Sequence, residues 1–212
     1  MRIPEPAKER LLSLMRFLEK TGDTPITSAE VEALTGWSSH TIRKDISYLA
    51  GGQAVGSSAG YTADSLVPAI RKALGFDRRR RFCVVGLGRL GSAYLNAGGL
   101  DLEEFDLCAG FDTNVNRVEI LKSPAPLYPA YKMAEVIQRF SIEIALLCVP
   151  AEAAQGAAEK LAAAGIRGIL NFAPVALRLS PEVAVRNVYV VDELRSLAIK
   201  MEDTEEQHET GI

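Results

Sequence analysis

Three glycines in a Gly-x-Gly-x-x-Gly arrangement give the sequence its clearest means of binding a ligand. Gly86, Gly88 and Gly91 directly follow the apolar residues 82–85 and precede residues 92–95, which favour a helix. In such a turn from strand to helix, the first glycine permits the tight turn, the second admits a pyrophosphate, and the third lets helix and strand pack closely. Backbone N–H groups at the start of the helix then bind phosphate oxygens. The pattern predicts a dinucleotide site.

An acidic residue at the end of the next apolar segment indicates which dinucleotide is bound. Residues 107–111 form that segment, and Asp112 follows it, roughly 20 residues after the glycines. A carboxylate at this point accepts hydrogen bonds from both hydroxyls of the adenosine ribose and repels the additional phosphate of NADP. NAD(H) is therefore predicted over NADP(H). A purely structural turn and a coenzyme A site are the alternatives, and Asp112 favours a ribose with free hydroxyls.

Residues 27–49 predict a second binding surface, of the helix-turn-helix kind. Thr27 precedes a short helix that ends before Gly36, and Ser38 or Ser39 precedes the next helix. The outward positions of that next helix are His40, Arg43, Lys44 and Ser47. The glycine-rich segment that follows is interpreted as the hairpin of a wing, with a flexible linker as the alternative.

Charge and composition are consistent with two parts of different function. Residues 1–81 carry 13 Lys and Arg against 9 Asp and Glu, whereas the remainder carries 11 against 18. A basic first part suits contact with phosphate, and an acidic second part does not. No apolar run approaches the roughly 20 residues that span a bilayer, so we expect a cytoplasmic protein without a membrane partner. The three cysteines lie in aliphatic runs, and we interpret them as core residues.

The alternation of strands and helices after residue 81 predicts an α/β fold with a Rossmann-like, doubly wound parallel sheet. Helices are expected at 7–20, 30–34, 66–74, 133–140 and 151–164, and strands at 82–85, 107–111, 142–149, 168–172 and 183–191. The predicted domains are a winged helix-turn-helix DNA-binding domain (1–78), a Rossmann NAD(H)-binding domain (79–190), a C-terminal helix (191–202) and a disordered tail (203–212).

The histidines argue against a dehydrogenase. Hydride transfer by an enzyme needs an acid or base beside the nicotinamide, and histidine is the usual choice. The sequence has only His40, in the predicted DNA-reading helix, and His208, in the tail. Tyr131 and Lys132 are other candidates, but solvated loop positions account for both. We therefore expect no catalytic residue and no metal site, and a nucleotide that is bound but not consumed.

From Ile3 to Met201 the chain resembles the Rex family of redox-sensing repressors. The matching segments are Ile3-Pro4, Arg10-Leu11, and residues 43–48 (RKDISY), 86–91 (GLGRLG), 110–112 (GFD), 149–154 (VPAEAA) and 168–174 (GILNFAP). The resemblance implies a homodimer that exchanges its C-terminal helix between subunits. It also implies binding to palindromic operator DNA, release of that DNA by NADH, and competition by NAD⁺ for the same site.

The resemblance also assigns roles to individual residues. The implied DNA-binding residues are Ser38, Ser39, His40, Arg43, Lys44, Tyr48, Ser57 and Ser58. The implied cofactor-binding residues are Gly86, Gly88, Arg89, Leu90, Gly91, Asp112, Arg117, Val149, Pro150, Asn171, Phe172, Ala173 and Pro174. Within this set, the two arginines match positions near the pyrophosphate and adenosine, with a plain surface role as the alternative. The last four residues match the wall on the nicotinamide side.

Three departures from the family pattern bear on switching. Ser57 and Ser58 stand where the family usually carries a basic wing residue for the minor groove. Arg16 is retained from a family relay between nucleotide and DNA domain, but its tyrosine aligns with Ala97 and its aspartate with Tyr189. Val190 replaces the usual aromatic beside the nicotinamide. The alternatives to an NADH-sensing repressor are therefore a DNA-binding protein whose redox switch is lost or altered, and an enzyme that binds NAD or coenzyme A.

Overall fold

The computed structural model describes residues 3–21, 25–49, 60–96 and 104–209. The chain divides into two compact units, Met1–Arg78 and Arg79–Ile212, which are the N-terminal and C-terminal units of this protein. Within the described ranges, no helix is both long enough and apolar enough to cross a membrane.

The N-terminal unit consists of helices whose apolar stripes meet in one core. Its helices are α1 (Glu5–Thr21), α2 (Ser28–Thr35), α3 (Ser39–Ser47) and α4 (Ala63–Leu74). Leu11 and Leu18 of α1 are fully buried against Ile46 of α3 and Ile70 of α4. Each such side chain contributes about 1.5–3 kcal/mol through removal from water. The core therefore holds α3 firmly by its inner face.

Helix caps set the turn between α2 and α3. The Thr27 hydroxyl accepts a hydrogen bond from the Glu30 N–H, and the Glu30 carboxylate accepts one from the Thr27 N–H, which is a capping box. Gly36 ends α2 with φ of 73°, a left-handed conformation that glycine adopts without steric cost. The Ser38 hydroxyl then accepts the Thr41 N–H at the start of α3. The caps predicted from sequence are confirmed.

An antiparallel β-bridge lies beside this helix-turn-helix. Ile26 and Tyr61 pair antiparallel, with both N–H to carbonyl distances at 2.8 Å. Tyr61 is the last residue of the segment interpreted as a wing. Residues 50–59 of that segment lie outside the described residues.

The C-terminal unit is built on a six-stranded sheet in which every pair of neighbours is parallel. Its strands are β1 (Arg80–Val85), β2 (Phe105–Asp112), β3 (Leu127–Pro129), β4 (Ile144–Leu147), β5 (Gly168–Asn171) and β6 (Ala184–Asn187), in the order β3-β2-β1-β4-β5-β6. The direction of winding reverses between β1 and β4. The carboxyl ends of these two strands therefore open a crevice, where α/β sheets bind their ligands.

Helices pack on both faces of the sheet, as a doubly wound fold requires. They are α5 (Arg89–Asn96), α6 (Val115–Ile120), a 3₁₀ turn (Ala130–Lys132), α7 (Met133–Phe140) and α8 (Ala151–Ala163), and the chain continues to α9 (Val190–Glu209). Apolar side chains fill one core around Phe111 and Ile137, and a second core around Val84 and Leu95. The predicted fold class is confirmed.

Two sequence predictions near the C-terminus are wrong. The strand expected at 183–191 ends at Asn187, and the β-branched Val190 and Val191 instead begin α9. The tail expected to be disordered from residue 203 is helical as far as Glu209. Once a helix is nucleated, each further residue adds a hydrogen bond at little cost, and the Glu-rich tail contains good helix formers. Low hydrophobicity therefore misled the prediction.

Candidate functional site

The outward face of α3 presents cations that none of the described residues neutralises. His40, Arg43, Lys44 and Ser47 are all exposed, as predicted from their spacing. Within the described residues, neither Arg43 nor Lys44 forms an ion pair or a hydrogen bond through its side chain. Tyr48 follows the helix and is half-buried. Side chains free on a rigid helix can contact phosphates and base edges in the major groove of DNA.

The position of this cationic face is fixed from behind by a bidentate ion pair. Arg10 on α1 donates from Nε to Asp45 Oδ2 at 2.6 Å and from Nη2 to Oδ1 at 3.0 Å. Only 4% of Asp45 is exposed. Two parallel hydrogen bonds fix orientation as well as distance. Asp45 therefore anchors α3, while its neighbours Arg43 and Lys44 face outward.

The two serines before the cationic face have local partners. Ser38 caps α3, and the backbone N–H of Ser39 donates to the carboxylate of Glu32 at 2.9 Å. Both side chains lie beside the first turn of α3, where a backbone phosphate is a suitable ligand. Ser57 and Ser58, the two wing residues in the predicted set, lie outside the described residues.

In the C-terminal unit, Gly86 and Gly91 have the turn and packing geometry that the sequence predicts. Gly86 has φ of 90°, and a Cβ on it would meet the Cys148 carbonyl oxygen at 2.7 Å. A Cβ on Gly91 would overlap the carbonyl oxygen of Gly86, so this glycine is needed for α5 to pack against β1. A Cβ on Gly88 would meet nothing within 4 Å. Open space in front of the second glycine is the space that a pyrophosphate requires.

Asp112 uses both carboxylate oxygens. Oδ2 accepts the Leu87 N–H at 2.7 Å and the Arg117 guanidinium at 2.9 Å, and Oδ1 accepts the Asn114 N–H at 2.8 Å. Burial alone would raise the pKa of this carboxyl, but the hydrogen bonds from Asn114, Arg117 and Leu87 outweigh burial and lower the pKa. Asp112 is therefore ionised at neutral pH. Arg117, which is largely exposed, is the partner that a ribose can displace.

A groove with two lobes runs past these residues. The first lobe, about 840 Å³, lies between the glycine turn and α8. Of the predicted cofactor residues it is lined by Gly86, Gly88, Arg89, Leu90, Asp112, Arg117, Val149, Pro150 and Phe172. The second lobe, about 590 Å³, is lined by Leu90, Tyr94, Phe172, Pro174 and the start of α9. Because Leu90 and Phe172 line both lobes, the groove suits an elongated ligand with two ends.

The second lobe has an aromatic wall, of which the sequence predicts Phe172 but not Tyr94. The rings of Tyr94 and Phe172 are 5.0 Å apart between centroids and tilted by 40°. Val190 also lines this lobe, so the aromatic missing at that position is replaced from α5. The spacing of Leu90 and Tyr94, one helical turn apart on α5, is the sequence signal that would have placed both in one site.

Two residues predicted to contact the cofactor instead lie behind the wall. Asn171 and Ala173 are buried and line neither lobe. The Asn171 side chain donates to the Val175 carbonyl oxygen at 2.8 Å and accepts the Ala173 N–H at 3.0 Å. Asn171 thereby shapes the loop that carries Phe172 and Pro174 into the groove.

The three residues of the predicted relay have different surroundings. Arg16 is exposed on α1, and its side chain has no hydrogen-bond partner among the described residues. Ala97 lies outside the described residues. The Tyr189 hydroxyl donates to the Val175 carbonyl oxygen at 2.7 Å, at the edge of the second lobe.

Helix α9 has an apolar side that this single chain leaves exposed. Val190, Leu194, Leu197 and Met201 recur at near-heptad spacing, and each is more than half exposed. Such a stripe on a helix is stabilised when a second helix covers it.

Comparison with known proteins identifies relatives over almost the whole chain. Residues 77–175 match the family of CoA binding domains. The redox-sensing transcriptional repressor Rex of Thermus thermophilus is 40% identical over 191 residues, which are 89% of each chain.

Solved structures agree with this similarity. The crystal structure of RSP, a Rex-family repressor, in complex with β-NAD⁺ and operator DNA has a TM-score of 0.84 and 26% identity, covering 99% of this chain and 97% of that one. RSP in complex with β-NADH matches with the same TM-score and 27% identity, over 99% of both chains.

Proposed function

This chain belongs to the Rex family of redox-sensing transcriptional repressors, and from that membership we propose that it is an operator-binding repressor released by NADH. The observation that carries the proposal is the match over 99% of the chain to RSP, whose structures hold NADH in one case and NAD⁺ with operator DNA in another. In this proposal, the protein reads the nucleotide and does not transform it. Its place of action is the cytoplasm, where bacterial operators lie.

The DNA-binding part of the proposal rests on α3. Its exposed, unpaired Arg43 and Lys44 are supported from behind by the Arg10–Asp45 ion pair. We assign phosphate and base contacts to these two cations, with His40 and Tyr48 beside them and Ser38 and Ser39 at the first turn. Ser57 and Ser58 remain proposed wing contacts.

The nucleotide part of the proposal rests on the two-lobed groove. The first lobe takes the adenosine, with Asp112 on the ribose hydroxyls, and the open space at Gly88 takes the pyrophosphate. The apolar second lobe takes the nicotinamide, which loses its positive charge on reduction. The carboxylate that lines this lobe, on Asp192, is paired with Arg195 at 2.7 Å, so the otherwise apolar lobe favours the neutral NADH over the cationic NAD⁺. Arg89 and Arg117 contribute positive charge toward the phosphates.

A second copy of this chain is the proposed partner of α9. A palindromic operator requires two copies of α3 related by a two-fold axis. The exposed apolar stripe of α9 supplies a surface through which two chains can associate. The proposed domains are those predicted above, with the dimerisation helix extended from 191–202 to the full length of α9.

One experiment tests the proposal as a whole. Fluorescence anisotropy of a labelled palindromic Rex-type duplex is titrated with the protein, and the complex is then titrated with NADH, NAD⁺ and coenzyme A in parallel. We expect specific binding that a scrambled duplex does not show, and release by NADH at a concentration well below that of NAD⁺. Release by coenzyme A instead would assign the groove to that ligand, and duplex binding without operator preference would contradict a repressor.

A further inference from the structure

Tyr189 joins the wall of the second lobe to the first turn of α9. Its hydroxyl donates to the Val175 carbonyl oxygen at 2.7 Å. Its own backbone carbonyl oxygen accepts the N–H groups of Asp192 and Glu193, at 2.9 and 3.1 Å, which are the first hydrogen bonds of the helix. One residue therefore both holds the loop and starts the helix.

The loop that Tyr189 holds, residues 172–175, is stiff. The Val175 carbonyl oxygen also accepts a hydrogen bond from Asn171, which is completely buried and binds the Ala173 N–H as well. Phe172 and Pro174 of this loop form part of the second lobe. Hydrogen bonds hold this loop at both ends. A ligand that contacts Phe172 therefore shifts the whole loop, and the shift strains the hydrogen bond between the Tyr189 hydroxyl and the Val175 carbonyl oxygen.

The described side chains of α9 have few partners within the single chain. Apart from the Arg195–Asp192 pair within the helix itself, the structure gives residues 194–202 of α9 no side-chain partner other than that of Lys200. Val190, Val191 and Leu194 are all more than half exposed in the single chain. The hydroxyl of Tyr189 thus links the wall of the groove to the first turn of the helix that the proposed second chain covers.

We propose that Tyr189 is a positioning residue that transmits occupancy of the second lobe to the first turn of α9 through the Val175 carbonyl. An aspartate at this position cannot replace it, because a carboxylate and a carbonyl are both acceptors. The chain thus couples nucleotide to helix by a hydrogen bond of its own, in place of the relay whose tyrosine and aspartate positions hold Ala97 and Tyr189.

This inference rests on the proposed function, because the ligand of the second lobe is taken to be NADH. The test uses the full-length protein and its Tyr189→Phe variant, which loses only the hydroxyl. Tyr131→Phe, at an exposed tyrosine outside the groove, is the matched control. Hydrogen exchange of the amides at residues 191–194 is measured with and without NADH, and operator affinity is measured under the same conditions.

We expect NADH to slow exchange at 191–194 in the natural protein and in Tyr131→Phe. In Tyr189→Phe, with NADH at saturation, this protection and the release of operator by NADH should both fall about fivefold, the value of one hydrogen bond. A merely structural role would lower thermal stability and both affinities together, leaving the NADH-dependent ratio unchanged.

The outcomes separate the two proposals. Equal NADH responses in Tyr189→Phe and in the natural protein would overturn the role of Tyr189, even if NADH releases the operator. Protection of α9 that depends on Tyr189, without any effect of NADH on operator binding, would leave the coupling in place and contradict the repressor switch. Absence of NADH protection at 191–194 in the natural protein would also overturn the coupling.

Discussion

Helix α3, proposed to read DNA, and the proposed dinucleotide groove differ in whether their charged side chains are exposed and unpaired or buried and paired. On α3, Arg43 and Lys44 are exposed and have no ion-pair partner among the described residues, and the only charge that is paired, on Asp45, lies on the inner side. In the groove, Asp112 is buried and already holds Arg117 and two backbone N–H groups. The cations of α3 have no ion-pair partner among the described residues, whereas the charges of Asp112 and Arg117 in the groove are paired with each other before a ligand binds.

The difference reflects the two ligands. DNA is a large polyanion whose binding gains from released counterions, so exposed cations on a rigid support suffice. A dinucleotide is small and must be distinguished from close analogues, which requires acceptors fixed in position before the ligand arrives. Substitutions in the two regions should therefore fail differently: in α3 through affinity, and in the groove through selectivity or fold.

The largest effect is expected on α3. The double change Arg43→Ala with Lys44→Ala should weaken operator binding about 100- to 1000-fold, since each such contact contributes about 1–3 kcal/mol. Nucleotide affinity and melting temperature should stay unchanged, because neither side chain forms an ion pair or a hydrogen bond with the described residues. Fluorescence anisotropy measures operator affinity, and calorimetry measures nucleotide affinity and melting temperature. Removing two charges in the other unit, by Lys122→Ala with Lys132→Ala, is the control, and an equal loss there would mean that net charge alone binds the DNA.

Substitutions at two glycines of the same turn should change different properties: Gly91→Ala the stability of the fold, and Gly88→Ala the affinity for NADH. Gly91→Ala places a methyl on the Gly86 carbonyl and should cost about 3 kcal/mol of unfolding free energy, because backbone gives way less than side chains do. Gly88→Ala points into open space, so the free energy of unfolding should be unchanged while NADH affinity falls about tenfold or more. Urea denaturation and NADH titration distinguish them. Unchanged NADH binding in Gly88→Ala would remove the pyrophosphate from this turn.

The ion pair behind α3 should behave as a support. Arg10→Met leaves Asp45 buried without its partner and should destabilise the N-terminal unit by about 3 kcal/mol. Arg10→Met combined with Asp45→Leu should recover most of that loss, since neither charge remains buried. Denaturation followed by Trp37 fluorescence reports this unit, because Trp37 is the only tryptophan of the chain. If Arg10→Met alone changes nothing, the anchor is not what holds α3.

Asp112→Asn should alter both selectivity and fold, because the amide nitrogen cannot accept one of the two backbone N–H groups that Asp112 binds. The amide keeps the size of the side chain but loses the charge that accepts ribose hydroxyls and repels a 2′-phosphate. NADH affinity should fall about tenfold, the value of one charge-assisted hydrogen bond, and NADPH should become relatively more acceptable. Competition titrations give the ratio. An unchanged ratio would show that Asp112 does not contact the ribose.

The smallest effect concerns alkaline pH, and it too separates the units. All three cysteines lie in the C-terminal unit, and burial raises the pKa of Cys148 to about 12. A raised pKa stabilises the folded state below the ordinary thiol pKa near 8.5, and this contribution is lost as pH rises toward 12. Stability should decrease less steeply over this window in Cys148→Ala than in the natural protein. Parallel curves would mean that the thiol does not titrate on unfolding.

Features that depend on neighbouring residues could be predicted from the sequence. The glycine turn, the caps at Thr27 and Ser38, and the placement of Asp112 all follow from local backbone requirements, and the structure has them where expected. The outward cations of α3 also follow, because helical periodicity is local.

Features that depend on residues distant in sequence could not be predicted. The stacking of Tyr94 on Phe172 and the depth of Asn171 depend on how α5 and β5 come together. The Arg10–Asp45 pair spans two helices, and both members were noted only as parts of matching segments. The tail is helical because it continues α9, and its polar composition, from which disorder is predicted, does not reveal that continuity.

The most direct test of a coupled repressor measures the coupling from both sides. NADH affinity is determined by nicotinamide fluorescence with the protein free and with it saturated by operator duplex, and operator affinity is determined with and without NADH. Linkage requires the two ratios to be equal, and an allosteric coupling of about 1–3 kcal/mol corresponds to ratios of about 5- to 150-fold. Equal ratios in that range are the predicted result. NADH affinity that is unaffected by bound operator would contradict the account, leaving two binding sites on one chain without communication.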